Sequence, residues 1–398
     1  MAKAKVLVAG AGPVGLVSAM VLAEAGVDVE VFERNADVME DLRASTFHPP
    51  TLDMLAPYGI SDVLVASGLK ARMTQQRDRR KGLIAEFDLE CLAGSTGYPF
   101  RLQCEQWKLN AELVRKLESH PRVTLRFGCA VEAARQDEQA VTIRIRTAGG
   151  MEDVRGDYLI GADGAWSTVR RSLGIEFEGY TYPERFLVVS TDFPFESHFD
   201  NLSWVNYVSD PDEWCVMLKV PSLWRVLFPT AEHESDEHVL SDEVIEARLQ
   251  GLLPRAGAYE IVHRTLYKVH QRVASRFRLG RVMLAGDAAH INNPLGGMGM
   301  NGGVHDAFNL AAKLTEVIAG RAPDSLLDQY ERQRRTVAIE YINANTARNK
   351  QLIEERDESV RSRIHAELRA TAADPETALA YIRKTSMFDA LERAGSIA

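Results

Sequence analysis

Val6-Leu-Val-Ala-Gly-Ala-Gly-Pro-Val-Gly15 decides the fold. Lys5–Ala9 is a short apolar run, as suits a strand buried on both faces of a parallel sheet. Val14–Ala25 carries Ala and Leu at helical spacing and stops at Gly26, a helix terminator. Val27–Phe32 is a second apolar strand, ending at Glu33-Arg34, so the chain opens with a complete βαβ unit. Within it, Gly10 permits the tight turn, Gly12 lets the backbone approach a diphosphate, and Gly15 lets the helix pack close to the strand. The helix start after Pro13 and Val14 offers unpaired N–H groups and a positive dipole end. Glu33, about twenty residues beyond the loop, can accept hydrogen bonds from an adenosine ribose. A glycine triplet alone can be no more than a tight turn, and even here it does not separate NAD from FAD.

A second stretch far along the chain does. Val282-Met-Leu-Ala-Gly-Asp-Ala-Ala-His290 is another apolar strand, ending in an aspartate where open α/β sheets bind their ligands. Ala288 and Ala289 leave room for a polyol chain, whose hydroxyls Asp287 can hold. Pro294-Leu-Gly-Gly-Met-Gly-Met-Asn301 follows, ahead of a helix expected to begin near Val304. A helix N-terminus aimed at a flavin would stabilise the negative charge that hydride uptake creates. Taken alone, the stretch has a plainer alternative, an aspartate capping a turn before a glycine linker. Two glycine loops with an acidic strand end between them call for a long cofactor, which favours FAD.

The bulk numbers bound the rest. At 398 residues the chain can hold two or three domains, and 45% hydrophobic with 26% charged residues is ordinary for a globular protein. A net charge of −9 argues against nucleic acid as a partner. Cys91, Cys104, Cys129 and Cys215 show no CxxC pair and no nearby His, so they read as reduced thiols, with no metal site. No secretory signal and no long apolar span appear, so the expectation is a cytoplasmic protein without a membrane span.

Along the chain, Asp41–Tyr58 reads as helical around a break at Pro49-Pro50. Arg72–Phe100 reads as strands outside the main sheet, and Trp107–Ser119 as a helix. Val123–Phe127, Ala130–Asp137, Val141–Thr147 and Tyr158–Gly161 read as strands. From about Phe186 to Phe277 strands alternate apolar and polar residues, with one helix near Asp242–Leu253, as in a mostly antiparallel half-buried sheet. Val304–Gly320 and roughly Ser325–Ala370 read as helical. The expected organisation is an α/β, Rossmann-like cofactor domain (1–71, 101–185 and 277–323), an interleaved substrate-binding sheet (72–100 and 186–276) and a C-terminal helical region (324–398).

Gly10–Gly15, Ala162-Asp163-Gly164 and Gly286-Asp287-Ala288-Ala289-His290 together resemble the three fingerprints of the single-component, FAD-dependent aromatic hydroxylases, the class that includes 4-hydroxybenzoate hydroxylase. The resemblance covers about the first 330 residues. Pro294–Asn301, continuing through Asp306-Ala307-Phe308-Asn309-Leu310, looks most like the branch with phenol, hydroxyphenylpropionate and polyketide hydroxylases, although the chain is compact like 4-hydroxybenzoate hydroxylase. The resemblance implies a Rossmann-like fold, bound FAD and transient NADH or NADPH. It also implies oxygen transfer through a flavin C4a-hydroperoxide to a small electron-rich aromatic substrate, and a homodimer. By similarity, Gly10, Gly12, Pro13, Val14, Gly15, Glu33 and Arg34 line the adenosine and diphosphate end, with Arg43, Val131, Asp163 and Gly164. Arg170 helps to organise the diphosphate and the nicotinamide. Gln106, rather than Gln103, Asp287, Pro294, Gly297, Gly299, Met300 and Asn301 lie toward the ribityl chain and the ring.

The substrate side is less legible. A phenolate reacts better than a phenol, so a base or relay near the substrate hydroxyl matters. Candidates are His48, Tyr207, Arg225 and His270, with Tyr180, Tyr182, His198 and Arg72 behind them; each is as readily a packed or solvated side chain. No Trp-x-Trp-x-Ile-Pro element supports a flavin-dependent halogenase. Two alternatives stay open: an FAD-dependent reductase or dehydrogenase acting on a non-aromatic substrate, and a low-turnover flavin-binding resistance or regulatory protein.

Overall fold

The computed structural model describes residues 4–40 and 44–398. Among them, six strands form the cofactor-side sheet, in the order Arg278–Leu279, Val282–Leu284, Tyr158–Gly161, Lys5–Ala9, Asp28–Phe32 and Val123–Arg126. All its pairings are parallel except that of the short edge strand Arg278–Leu279. The two faces are covered differently. Val8 points to the side of helix Pro13–Glu24, which approaches closely because Gly15 has no side chain to place against it. Leu7 points to the other side, against a three-stranded antiparallel sheet of Ala130–Gln136, Val141–Thr147 and Gly150–Gly156. Ile143, Ile145 and Val154 of that sheet join Leu7 in one core. Strand Gly150–Gly156 carries mostly exposed polar residues, so no apolar pattern announced it.

Eight strands form the second large sheet. Their order is His290–Ile291, His263–Ala274, Phe177–Thr191, Trp224–Pro229, Cys215–Lys219, Val205–Ser209, Met73–Asp78 and Gly82–Asp88. It is antiparallel apart from Val205–Ser209 beside Met73–Asp78. The period-2 alternation sorts its residues cleanly. Cys215, Met217, Val226 and Phe228 face helix Asp242–Leu252 through Ile245 and Leu249. Val205, Tyr207 and Val216 face the opposite way, toward Leu295 just ahead of the second glycine loop, and toward Ile353. The strand Phe177–Thr191 starts earlier than the expected 186.

Two expectations need correction. Pro49-Pro50 does not break a helix but begins one, Pro49–Leu55. At a first helical turn the missing N–H costs nothing and the fixed φ already suits the helix. Ahead of it Thr46–Phe47 is a strand, paired with Arg101–Gln103. The helix after the second loop begins at Met298, not near Val304, and runs to Ile318, so its glycines lie inside the first turns. The C-terminal region is a series of helices: Leu326–Val337, a π segment Ala338–Asn343, Ala344–Glu354, Glu358–Ala373, Pro375–Thr385 and Phe388–Gly395. No helix among the described residues is long and apolar enough to cross a membrane.

Candidate functional site

At the first loop, Gly10 has φ +100°, and a Cβ there would lie 2.4 Å from the Ala162 carbonyl oxygen. A Cβ on Gly15 would lie 1.9 Å from the Gly10 carbonyl oxygen, so strand, turn and helix fit only with glycine at both positions. Gly12 is different: nothing lies within 4 Å of the Cβ it lacks, and helix Pro13–Glu24 starts with no side-chain cap. Space is therefore open beside a helix start whose first N–H groups have no side-chain cap, and an anion can fill it. Glu33 sits across this opening. Its Oε2 accepts from Ala11 N at 2.9 Å, and its Oε1 accepts from the backbone N and Nδ2 of Asn35. Arg34 is exposed beside it, and Val131 lies half-buried in its strand against the main core. Arg43 lies outside the described residues.

Asp163 caps helix Thr168–Ser172 through Oδ2, which accepts from Thr168 N and Val169 N. Its Oδ1 is buried without a partner. Gly164 follows with φ +80°. Arg170 is buried and its donors end on the carbonyls of Ala288 and Ala165, both at 2.8 Å. It thus staples the Asp163 loop to the Asp287 loop, a structural post that its expected place at the diphosphate did not include.

At the second loop, Asp287 is exposed in the turn Gly286–Ala288. Behind it lies a buried ionic knot that the sequence reading did not assign. Asp306 accepts from Gly286 N at 3.0 Å, His290 Nε2 at 2.8 Å and Arg334 Nε at 2.6 Å. Burial alone would raise the Asp306 pKa, but Arg334 and His290 bring it down to about 2. Asp306 lay inside a quoted motif, whereas Arg334 sits in a charged helix with nothing to mark it. The two loops meet at their helices. A Cβ on Gly303 would lie 2.6 Å from Val14 Cγ2 and 3.1 Å from Gly286 Cα.

Helix Met298–Ile318 is also uncapped, with Gly297 in the left-handed region ahead of it and Pro294 half-buried upstream. Gly299 and Met300 are half-buried at its start. Asn301 is buried, and its amide is spent on the protein: Oδ1 accepts from His48 N, and Nδ2 donates to the carbonyls of Thr46 and Gly297. Any contact from Asn301 to a flavin is thus one of position, not of a free amide. His48 is held from both ends, because its Nε2–H donates to the Gly296 carbonyl at 2.8 Å. That fixes the tautomer and leaves Nδ1 as an acceptor, buried without a partner. Burial, with the charge of Arg101 second, keeps His48 well below the usual histidine pKa and hence neutral.

Gln106 heads helix Gln106–Glu118, half-buried, and its backbone N donates to the Ala44 carbonyl. Gln103 lies deeper: Oε1 accepts from Thr46 Oγ1, while Nε2 is buried and unpartnered. Tyr207 and Arg225 share the sheet face that looks toward Leu295, since Val205 aligns with Leu218 and Arg225, and Tyr207 with Val216 and Leu227. Arg225 reaches Ser45 Oγ at 3.1 Å. His270 is elsewhere, bonded to Thr181 between the outer strands Phe177–Thr191 and His263–Ala274, and burial lowers its pKa. The structure therefore brings His48, Tyr207 and Arg225 toward one region and leaves His270 out.

A family model described as an FAD binding domain matches residues 3–345. The chain belongs to this FAD-binding family. It is 35% identical to para-nitrophenol 4-monooxygenase of Pseudomonas sp. (strain WBC-3), over 93% of this chain and 92% of that one. It is also 35% identical to 6-hydroxy-3-succinoylpyridine 3-monooxygenase of Pseudomonas putida (strain DSM 28022 / S16), over 87% and 88% of the two chains. The crystal structure of p-nitrophenol 4-monooxygenase from Pseudomonas putida DLL-E4 superposes with a TM-score of 0.91 at 34% identity, covering 98% of this chain and 97% of that one. FAD is the cofactor of this family, and the site suits it. Two uncapped helix starts, an open Gly12 and buried unpartnered polar atoms on Asp163, Gln103 and His48 offer hydrogen bonds to a long polar ligand.

Proposed function

We propose that this FAD-binding chain hydroxylates an electron-rich aromatic ring, phenolic or hydroxypyridine-like, using NADH or NADPH and dioxygen. The observation that carries the reading is the apolar sheet face of Val205, Val216 and Leu227, turned toward Leu295 ahead of the second glycine loop, with polar side chains at its margin. The relatives support it, being named as monooxygenases of a nitrophenol and a hydroxypyridine. FAD supplies the electron transfer from the nicotinamide and the activation of oxygen.

The chain's own residues bind, orient and exclude water. The N–H groups at the uncapped start of helix Pro13–Glu24 take the diphosphate, with Gly10, Gly12, Pro13, Gly15, Asp163, Gly164 and Arg43 around it. Glu33 takes the ribose, with Arg34 and Val131 flanking. Asp287 and Gln106 take the ribityl hydroxyls, and Pro294, Gly297, Gly299, Met300 and Asn301 shape the ring end. The start of helix Met298–Ile318 favours negative charge on the ring edge. Segments 72–100 and 186–276 form the substrate-binding unit and hold the ring against that edge. Residues 1–71, 101–185 and 277–323 form the cofactor unit.

The experiment is a screen of phenols, hydroxybenzoates, anilines and hydroxypyridines for stimulated NAD(P)H oxidation, followed by labelled dioxygen. One labelled oxygen in the product is the expected result. Stimulated oxidation with no label in any product would favour the reductase alternative; no stimulation by any aromatic would defeat the reading.

A further inference from the structure

Arg101 is 4% exposed, yet among the described residues it meets no carboxylate. Its Nη1 donates to the Tyr207 hydroxyl at 3.3 Å and its Nη2 to the Thr385 carbonyl at 3.2 Å. Its Nε is buried with no acceptor. A buried guanidinium is costly unless its charge and its donors are both answered. Two other buried arginines are answered in full, while Arg361, with Nε and Nη1 unpartnered, still has Glu358 and Asp78 against its charge. Arg334, equally buried, has Asp306, and Arg170 has a carbonyl for each Nη with no nitrogen orphaned.

Tyr207 carries the same message. Its oxygen accepts from Arg101, so its O–H remains to be donated, and no acceptor among the described residues takes it. Two donors and one positive charge are thus unanswered in one buried place. That place is the one where the aromatic ring was assigned. Arg101 lies close enough to His48 to depress its pKa, and His48 rests on Gly296 and Asn301 of the second loop. Tyr207 projects from the apolar sheet face. The other titratable or charged groups there are Tyr381, which accepts from Gln76, Arg348, and Arg225 on the same sheet face; none is an acid. His48 stays neutral, so the site is positively charged, with no acid among the described groups there to balance it.

We propose that Arg101 and Tyr207 hold the ionised hydroxyl oxygen of a phenolic substrate. The inference rests on the aromatic hydroxylase reading above and deepens it by naming the residues that meet the substrate's ionised oxygen. An isolated Nε–H and one O–H suit a single oxygen, and the guanidinium is its counter-charge. A phenolate ring is the more electron-rich form, so the same contact that selects the substrate also primes it for oxygen transfer.

The test uses the oxidised FAD-loaded protein and 4-nitrophenol, whose phenolate absorbs in the visible while the neutral phenol does not. Titrated below its own pKa, 4-nitrophenol should bind as the phenolate, its pKa on the protein lowered by about one unit or more. Arg101→Met should weaken 4-nitrophenol about tenfold or more and remove the phenolate band. The same variant should change binding of 4-nitroanisole, which cannot ionise, by less than about twofold. Arg101→Lys should recover part of the band, and Tyr207→Phe should keep the band with weaker binding. Flavin content is measured for each variant. If Arg101→Met does not fold, the wild-type spectrum decides alone. A neutral bound phenol, no binding of 4-nitrophenol, or equal losses for the phenol and its methyl ether in Arg101→Met would overturn the inference. A protein that hydroxylates phenols yet binds them neutral sinks this inference only, whereas one that no aromatic stimulates sinks the hydroxylase reading with it.

Discussion

His48 and His305 are two fully buried imidazoles near the second loop. His48 bonds Gly296, and His305 bonds Thr51 at 3.0 Å. Burial holds both below the ordinary value of 6.5, with Arg101 adding to the effect at His48 and Arg334 at His305, which is pushed down to about 3. A depressed histidine pKa means that the unfolded chain takes up protons that the folded chain refuses. Stability from these residues is therefore complete above about pH 6.5 and is lost as pH falls below it, for His305 down to about 3. His305 should contribute a slope of about 1.4 kcal/mol per pH unit in that window, hence roughly 2 kcal/mol between pH 6.5 and 5, and His48 acts in the same direction. Urea unfolding of the flavin-free protein at pH 7, 6 and 5 would measure it. His305→Gln should flatten the slope by one histidine's share, and an unchanged slope in that variant would refute the assignment.

At the scale of elements, the decisive contact is where the two glycine-loop helices cross. Gly303 is one turn inside helix Met298–Ile318, facing Val14 at 2.6 Å and the Gly286 backbone at 3.1 Å from a would-be Cβ. Gly303→Ala should cost about 1–3 kcal/mol by overpacking and should also loosen FAD, because both loops must shift apart. Val14→Ala would relieve the side-chain part of the clash but not the backbone part. The double variant should therefore be more stable than the sum of the single losses, by about 0.5–1 kcal/mol in denaturant midpoints; strict additivity would disprove the contact. The same crossing explains a misreading. Composition around Gly296–Gly303 is that of a linker, and only the packing partner reveals that these glycines serve a helix. The strands Lys5–Ala9, Asp28–Phe32 and Tyr158–Gly161 were legible because doubly buried strands are uniformly apolar. Pro49-Pro50 misled in the opposite sense, since proline excludes a helix interior but not a helix start.

Across the whole molecule, what escaped the sequence was long-range. No motif marks Arg101, the first residue of strand Arg101–Gln103, and its meaning appears only once Tyr207 and Thr385 fold against it. The C-terminal helices offered no motif, yet they tie the two large sheets together. Arg334 holds Asp306 behind the cofactor-side loop, while Tyr381 stacks on Phe87 of the other sheet at 4.2 Å. Local patterning cannot show such pairs, because neither partner is unusual in its own neighbourhood. On the proposed assignment the cofactor makes a third tie, since Glu33 and Asp287 lie in segments far apart in sequence. A ligand that binds only the folded state adds stability in proportion to the logarithm of its concentration, about 2.7 kcal/mol at a hundred times Kd. Asp287 is exposed at its turn, so Asp287→Ala should leave the flavin-free protein within about 1 kcal/mol of wild type. Loss of a charged acceptor for a ribityl hydroxyl should weaken FAD about tenfold, removing roughly 1.4 kcal/mol of the FAD-dependent gain at a fixed excess. Thermal unfolding across a series of FAD concentrations separates the two effects. Parallel displacement of both curves toward higher FAD supports Asp287 as a cofactor ligand, whereas a drop in flavin-free stability with an intact FAD response would make it a turn residue only.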